Sequence, residues 1–216
     1  RMIQSGDALV VVAAGMESMT RAPHLLMGSR DGYTYGSIEV LDHMAFDGLT
    51  DAFDKVSMGA STEALNARYE VTREAQDAVA ARSHQRAAAA MDAGIFDAEI
   101  VPVEVAQRKG DPLVVTRDEG VRPDTTVESL GRLRAAFAEG GTITAGNASQ
   151  ISDGASAVIL TTRSHADENG WDVLAVVGAA GQTAGPDNSL HAQPARAIEQ
   201  ALGRQGIPAG DLDLVE

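Results

Sequence analysis

A chain of 216 residues with 44% hydrophobic and 22% charged side chains can bury a core and is too apolar to be disordered throughout. Its 31 acidic residues outnumber 17 basic ones for a formal charge of −14, and no Lys/Arg cluster stands ready to neutralise phosphates, which argues against nucleic acid as the main partner. The lack of cysteine excludes disulfides and Cys-ligated zinc and is compatible with the cytoplasm, the expected location; no apolar run reaches the ~18–20 residues of a membrane span.

Residues 1–7 read as the tail of a helix closing at Gly6, without an apolar signal core. Ala8–Ala14 is an almost continuous apolar strand, a pattern suited to the interior of a mixed or parallel sheet. A long irregular region follows, over residues 15–57. A helix is expected from Ser61 or Thr62, with Leu65, Arg68 and Tyr69 spaced i, i+3, i+4. The strongest helix is Arg73–Ala93, with Thr72 as N-cap, Glu74 complementing the dipole and Gly94 at the C′ position. Glu99–Val105 alternates at period two and reads as an edge strand, because Pro102 cannot donate to a ladder. Ser129–Phe137 is a short helix with Leu130, Leu133 and Phe137 as its apolar positions. Ala155–Thr161 and Val173–Gly178 are strands. Pro194 opens a helix that buries Ile198, Ala201 and Leu202, and Leu212–Val215 is a last strand. A chain that begins on a helix tail and stops inside a strand reads as a fragment. The fold class is α/β, with strands flanking an insertion over roughly residues 20–145.

The most informative block is Thr142-Ile143-Thr144-Ala145-Gly146-Asn147-Ala148-Ser149-Gln150-Ile151-Ser152-Asp153-Gly154, leading into the apolar strand Ala157-Val158-Ile159-Leu160. It places small residues and glycines where an extended segment turns, an arrangement that lets a ligand approach backbone. It is not a phosphate loop of the P-loop kind, since no Gly-Lys-Ser/Thr follows. The five histidines are scattered without ligand spacing, Asp47, Asp51 and Asp54 miss the calcium-loop pattern, and no Gly-x-Ser-x-Gly elbow occurs. No metal site is expected.

Six blocks occur in one order: Val11-Val12-Ala13-Ala14-Gly15-Met16-Glu17-Ser18-Met19, then Gly48-Leu49-Thr50-Asp51-Ala52-Phe53 with Met58-Gly59, Thr72–Ala88, Gly94–Ile100, Asp118-Glu119 with Arg122, and the Thr142 block. Together they closely resemble the thiolase family, CoA-dependent acyltransferases that make or split 3-ketoacyl-CoA. The resemblance implies a layered α/β/α core, incomplete in this chain, with a large inserted loop domain. Residues 1–19 would end the N-terminal half, 20–145 form the CoA-binding loop domain, 146–166 carry the last strand region of that half, and 167–216 start the C-terminal half. It further implies CoA thioesters as substrates and partners, no cofactor, and a homodimer or homotetramer in the parent, with Tyr33–Asp47 either joining dimers or forming an ordinary surface loop.

The family's nucleophilic cysteine lies before the equivalent of Val11, and its Asn-Glu-Ala-Phe, Gly-His-Pro and Cys-Gly-Gly-Gly loops lie beyond the equivalent of Glu216. No catalytic residue is therefore expected here, and the chain alone should be inactive. The CoA-binding side remains. By resemblance, Arg122 and Ser129 sit near the nucleotide, Ser149 bonds a pantetheine amide, and Leu49, Met58, Phe137, Ala145, Ile151 and Leu190 line the pantetheine tunnel. The plainer alternatives are core packing for Leu49, Met58 and Phe137, a surface charge paired with Asp118, Glu119 or Asp124 for Arg122, and a turn role for Ser149. Ala14, Ser57, Ala60–Glu63 and Leu190–Pro194 depart from the family pattern, which leaves acyl-chain length open. The main expectation is the central part of an acetyl-CoA acetyltransferase or 3-ketoacyl-CoA thiolase. The alternatives are a non-catalytic thiolase-like CoA- or lipid-binding protein, and a fragment stable only beside its missing halves or a partner.

Overall fold

The computed structural model describes residues 1–215 and divides the chain into two compact units, Arg1–Met58 with Ile151 onward, and Gly59–Gln150. The elements in chain order are α1 (Met2–Ser5), β1 (Val10–Ser18), a 3-10 turn at Met19–Arg21, β2 (His24–Leu26), β3 (Val40–Asp42) and a π-helical turn at Met44–Gly48. Next come α2 (Met58–Asn66), α3 (Arg73–Asp92), β4 (Val103–Val105), β5 (Leu113–Val115) and α4 (Val127–Leu130). The last elements are β6 (Asp153–Thr161), α5 (Arg163–Asn169), α6 (Gln193–Gln205) and a 3-10 turn at Ala209–Asp211. The architecture is mixed α/β, with three two-stranded antiparallel sheets among the described residues.

In the first unit, β1 and β6 pair along their whole length, from Val10 opposite Thr161 to Ser18 opposite Asp153. The apolar run of β1 was expected inside a mixed or parallel sheet; it pairs antiparallel with β6 alone among the described residues. The run still demands cover on both faces, and the sheet has little: Val12 is 65% exposed, Met16 82% and Ile159 70%. Asp153 closes the end of the pair. It accepts the Thr20 hydroxyl at 2.5 Å, the Thr20 N–H at 3.0 Å and the Ser18 hydroxyl at 3.1 Å. The Thr20 hydroxyl, then the Thr20 N–H, hold its carboxyl below the ordinary range.

Two expected strands do not join a ladder. Val173–Gly178 runs without a partner strand among the described residues. Just beyond it, side chains of α6 serve the backbone instead: Gln205 accepts from Ala179 N–H at 2.9 Å and Gln200 from Gln182 N–H at 2.8 Å, while Arg204 donates to the Ala180 carbonyl. Leu212–Val215 forms no ladder either. Pro194 does lie in the first turn of α6.

The second unit follows its sequence signals more closely. Thr72 caps α3 by accepting from Ala75 N–H at 3.2 Å, Glu74 lies in the first turn, and Gly94 takes a left-handed φ of 67° just past the end. The buried face of α3 is Asp77, Ala81 and Ala88, small enough for α4 to pack against it. The helix expected over Ser129–Phe137 is shorter and earlier, because α4 ends at Leu130 with Gly131 as its cap. Beyond it the chain turns to pair with the 142–144 segment, Ala136 N–H donating to the Ile143 carbonyl at 2.8 Å. The edge strand begins only after Pro102, as Val103–Val105 paired with Leu113–Val115.

The whole chain exposes 17024 Å² at a mass of 22.5 kDa. Two unconnected globular bodies of half that mass each would expose about 11,400 Å². Much apolar surface is thus left uncovered, most visibly on the β1–β6 pair.

Candidate CoA-binding site

The Thr142–Gln150 turn is built by its own polar side chains. Thr144, fully buried, accepts from Gly146 N–H through its hydroxyl at 3.2 Å, and Asn147 Oδ1 accepts from Thr144 N–H at 2.7 Å. The Thr144 carbonyl takes the N–H groups of Asn147 at 3.3 Å and Ala148 at 3.1 Å. These two residues satisfy the backbone of the turn and leave Ala145 and Gly146 as its slim outer surface. Gly146 is required by close approach: a Cβ there would stand 2.5 Å from both Leu130 Cδ2 and Leu133 Cδ1.

Glu63 anchors the strand that enters the turn. Its two carboxyl oxygens accept Thr142 N–H and Ile143 N–H, both at 2.8 Å, and the Thr142 hydroxyl at 2.7 Å. That hydroxyl also receives the side-chain amides of Asn66 at 2.8 Å and Gln76 at 2.9 Å. Partial burial of Glu63 opposes ionisation, but the bonds from Ile143, Thr142 and Asn66 outweigh it and keep the carboxyl below its ordinary value.

Two clefts adjoin across this turn, both within the second unit. The first, of about 300 Å³, is lined by His84, Arg122 to Thr125 in part, Ser129, Leu130, Leu133, Ala145, Gly146, Ala148 and Gln150. The second, of about 380 Å³, lies between Gly146–Gln150 and one face of α3, formed by Gln76, Val79, Ala80, Ser83 and His84. His84, Gly146, Ala148 and Gln150 belong to both, so the two form one trough. Volumes of this size suit a small-molecule or cofactor-arm site.

The Arg122 loop is tied down at three points. Arg122 N–H donates to His84 Nδ1 at 3.2 Å, Gln85 donates to the Thr125 carbonyl at 3.1 Å, and Gln150 donates to the Gly120 carbonyl at 3.1 Å. The first bond leaves the proton of a neutral His84 on Nε2. None of the ion pairs among the described residues involves Arg122, so its guanidinium is not committed to Asp118, Glu119 or Asp124. Ser129 has a local duty. It closes a capping box with Thr126, accepting from Thr126 N–H at 3.0 Å and donating to the Thr126 carbonyl at 2.9 Å.

Of the residues singled out from sequence, the trough brings together Arg122, Ser129, Ala145 and Ser149. Phe137 instead packs its ring where a Cβ at Gly59 would fall. Leu49, Met58, Ile151 and Leu190 belong to the other unit. There Met58 N–H donates to the Leu49 carbonyl at 2.9 Å, while Leu190, Met58 and Ile151 are 41%, 42% and 59% exposed. Sequence reading missed His84, Gln150, Gln76 and Ser83. For Gln76, Ser83 and His84 the available signal was their common face on α3 at spacings of seven and eight; Gln150 sits in the turn already marked as special. Among the described residues no group of three or more His, Asp or Glu side chains is placed to hold a metal ion, and no helix is long and apolar enough to cross a membrane.

Comparison with known proteins bears on the whole chain. The family model for the thiolase N-terminal domain matches residues 1–164. A probable acetyl-CoA acetyltransferase of Mycobacterium tuberculosis is 54% identical over 216 residues, covering 100% of this chain and 55% of the relative. One from Mycolicibacterium smegmatis is 52% identical, covering 100% of this chain and 56% of its own length. The crystal structure of the Bacillus anthracis acetyl-CoA acetyltransferase superposes with a TM-score of 0.89 at 38% identity, covering 99% of this chain and 54% of that one. The chain therefore spans about half the length of the relatives that it matches. In sequence and in its incomplete α/β fold alike, this chain belongs to the thiolase family.

Proposed function

We propose that the chain is the CoA-binding part of a thiolase, in which the Gly59–Gln150 unit carries the nucleotide and pantetheine of a CoA thioester. The observation that carries this reading is the trough itself. Arg122, which enters none of the ion pairs among the described residues, lines it together with the small residues of the Thr142–Gln150 turn and one face of α3. Arg122 suits a phosphate or an adenine face, and its backbone N–H is held by the His84 ring, which lines the same cleft. Further along, Ser83, Gln76, Ser149 and Gln150 supply the few polar groups that a mostly apolar arm with two amides needs. Residues 20–145 act as the loop domain in this reading.

The parent enzyme carries out ping-pong acyl transfer as a cytoplasmic homodimer or homotetramer. A cysteine thiolate adds to the 3-keto carbonyl, the bond between carbons 2 and 3 breaks, and a proton goes to the departing carbon of the shortened CoA thioester. The enzyme-bound acyl group then passes to the sulfur of a second CoA. No cofactor enters. With no cysteine among its 216 residues, this chain supplies no such thiolate and is inactive alone.

Calorimetric titration with CoA and with dephospho-CoA tests the site. Binding by the chain, weakened by Arg122→Ala and by added salt, is expected; ionic screening acts over about 10 Å at 0.1 M. Absence of binding, or binding indifferent to Arg122, contradicts the assignment. Measured thiolysis of acetoacetyl-CoA by the chain alone would overturn its inactivity.

A further inference from the structure

Asp77 is 2% exposed, the one carboxylate classed as buried among the described residues, and it touches neither ligand-facing surface of the first cleft. Its Oδ2 accepts from Arg73 Nε at 2.7 Å, one turn earlier on α3, and its Oδ1 accepts from the Asn147 amide at 2.9 Å. Each partner reaches a different wall. Arg73 Nη2 donates to the carbonyls of Leu130 at 2.6 Å and Leu133 at 3.0 Å. Asn147 accepts from Thr144 N–H at 2.7 Å and donates to the Thr142 carbonyl at 3.1 Å.

The bonds form one continuous line, from Leu130 and Leu133 through Arg73, Asp77 and Asn147 to the Thr142–Ala148 turn. Leu130, Leu133, Gly146 and Ala148 all line the cleft, the first two reached through Arg73 and the last two belonging to the turn held by Asn147. Leu130 and Leu133 already pack on the turn so closely that no Cβ fits at Gly146. A buried ion pair is often replaceable by apolar side chains of the same volume without loss of stability. Apolar side chains could not, however, hold two carbonyls on one side and an amide on the other at fixed distances.

We propose that Arg73 and Asp77 are positioning residues that set the gap between the two walls of the CoA trough from behind, without touching the ligand. The inference rests on the CoA reading given above. Asp77→Asn removes the charge that holds the guanidinium, and Arg73→Lys keeps a positive charge but loses the fork that reaches Leu130 and Leu133. In calorimetric titration of the 216-residue chain with CoA at low temperature, each variant is expected to raise the dissociation constant about tenfold, with the helical circular dichroism unchanged. The double variant should add little to either single one, because both break the same line of bonds. A merely structural pair would lower the unfolding midpoint while leaving the affinity of the folded protein as it was. Should Asp77→Asn fail to fold, Arg73→Lys carries the same comparison, since its side chain is 21% exposed. Folded variants binding CoA within twofold of the wild type would overturn the positioning role. No CoA binding by the wild type would instead overturn the reading on which it rests.

Discussion

The Thr142–Gln150 turn and the β1–β6 pair stand at opposite ends of self-sufficiency. In the turn, the buried polar groups find partners inside the Gly59–Gln150 unit, supplied by Glu63, Asn66, Gln76 and Asp77. No buried side-chain nitrogen or oxygen among the described residues lacks a hydrogen bond. The β1–β6 pair is complete in its ladder yet leaves Val12, Met16, Val158 and Ile159 exposed. Hydrogen bonding is settled by neighbours a bond length away, whereas apolar faces need an extended layer laid against them. The unit that carries the candidate site is thus held by specific polar ties, and the sheet awaits cover.

That contrast can be broken or sharpened by substitution. The largest effect is expected at Gly146, where valine must displace Leu130 and Leu133; urea unfolding followed by circular dichroism should show a loss of about 3 kcal/mol. Glu63→Gln comes next at about 2 kcal/mol, since a neutral amide cannot accept from Thr142 and Ile143 through both of its heavy atoms. The pH dependence has a defined sign. The carboxyl of Glu63 titrates lower in the folded chain than in the unfolded one, so its contribution is complete above the unfolded value and is lost as pH falls through the folded value. Wild-type stability should therefore drop below about pH 4.3, and Glu63→Gln should flatten that drop in urea titrations at a series of pH values. Thr72→Ala removes the cap of α3 and should cost about 1 kcal/mol, seen in the same unfolding experiment. Smallest is Val12→Lys: on an uncovered face it should shift stability by no more than about 0.5 kcal/mol, and a large loss would mean that the sheet is covered after all.

The legibility of the chain follows the same division. Thr72, Glu74 and Gly94 announce α3 because caps act within a few residues of the backbone they serve. The Thr142 block was recognisable as a turn because its small residues are contiguous. The duties of Glu63, Asp77 and Arg73 were not legible, since their partners lie 57 to 80 residues away in the chain and only the fold brings them together. Val173–Gly178 has the composition of a strand, but a ladder needs a partner that composition cannot supply. The apolar spacing of Ser129–Phe137 continues past Gly131, but pairing of Ala136 with Ile143 prevails over helix there.

Hydrogen exchange of the chain with and without CoA tests the central claim most directly. Added CoA is predicted to slow exchange in residues 120–130 and 144–150 and along the cleft-facing turns of α3, leaving β1 and β6 unchanged. Protection confined to β1 and β6, or none at all, would contradict a CoA site in the Gly59–Gln150 unit.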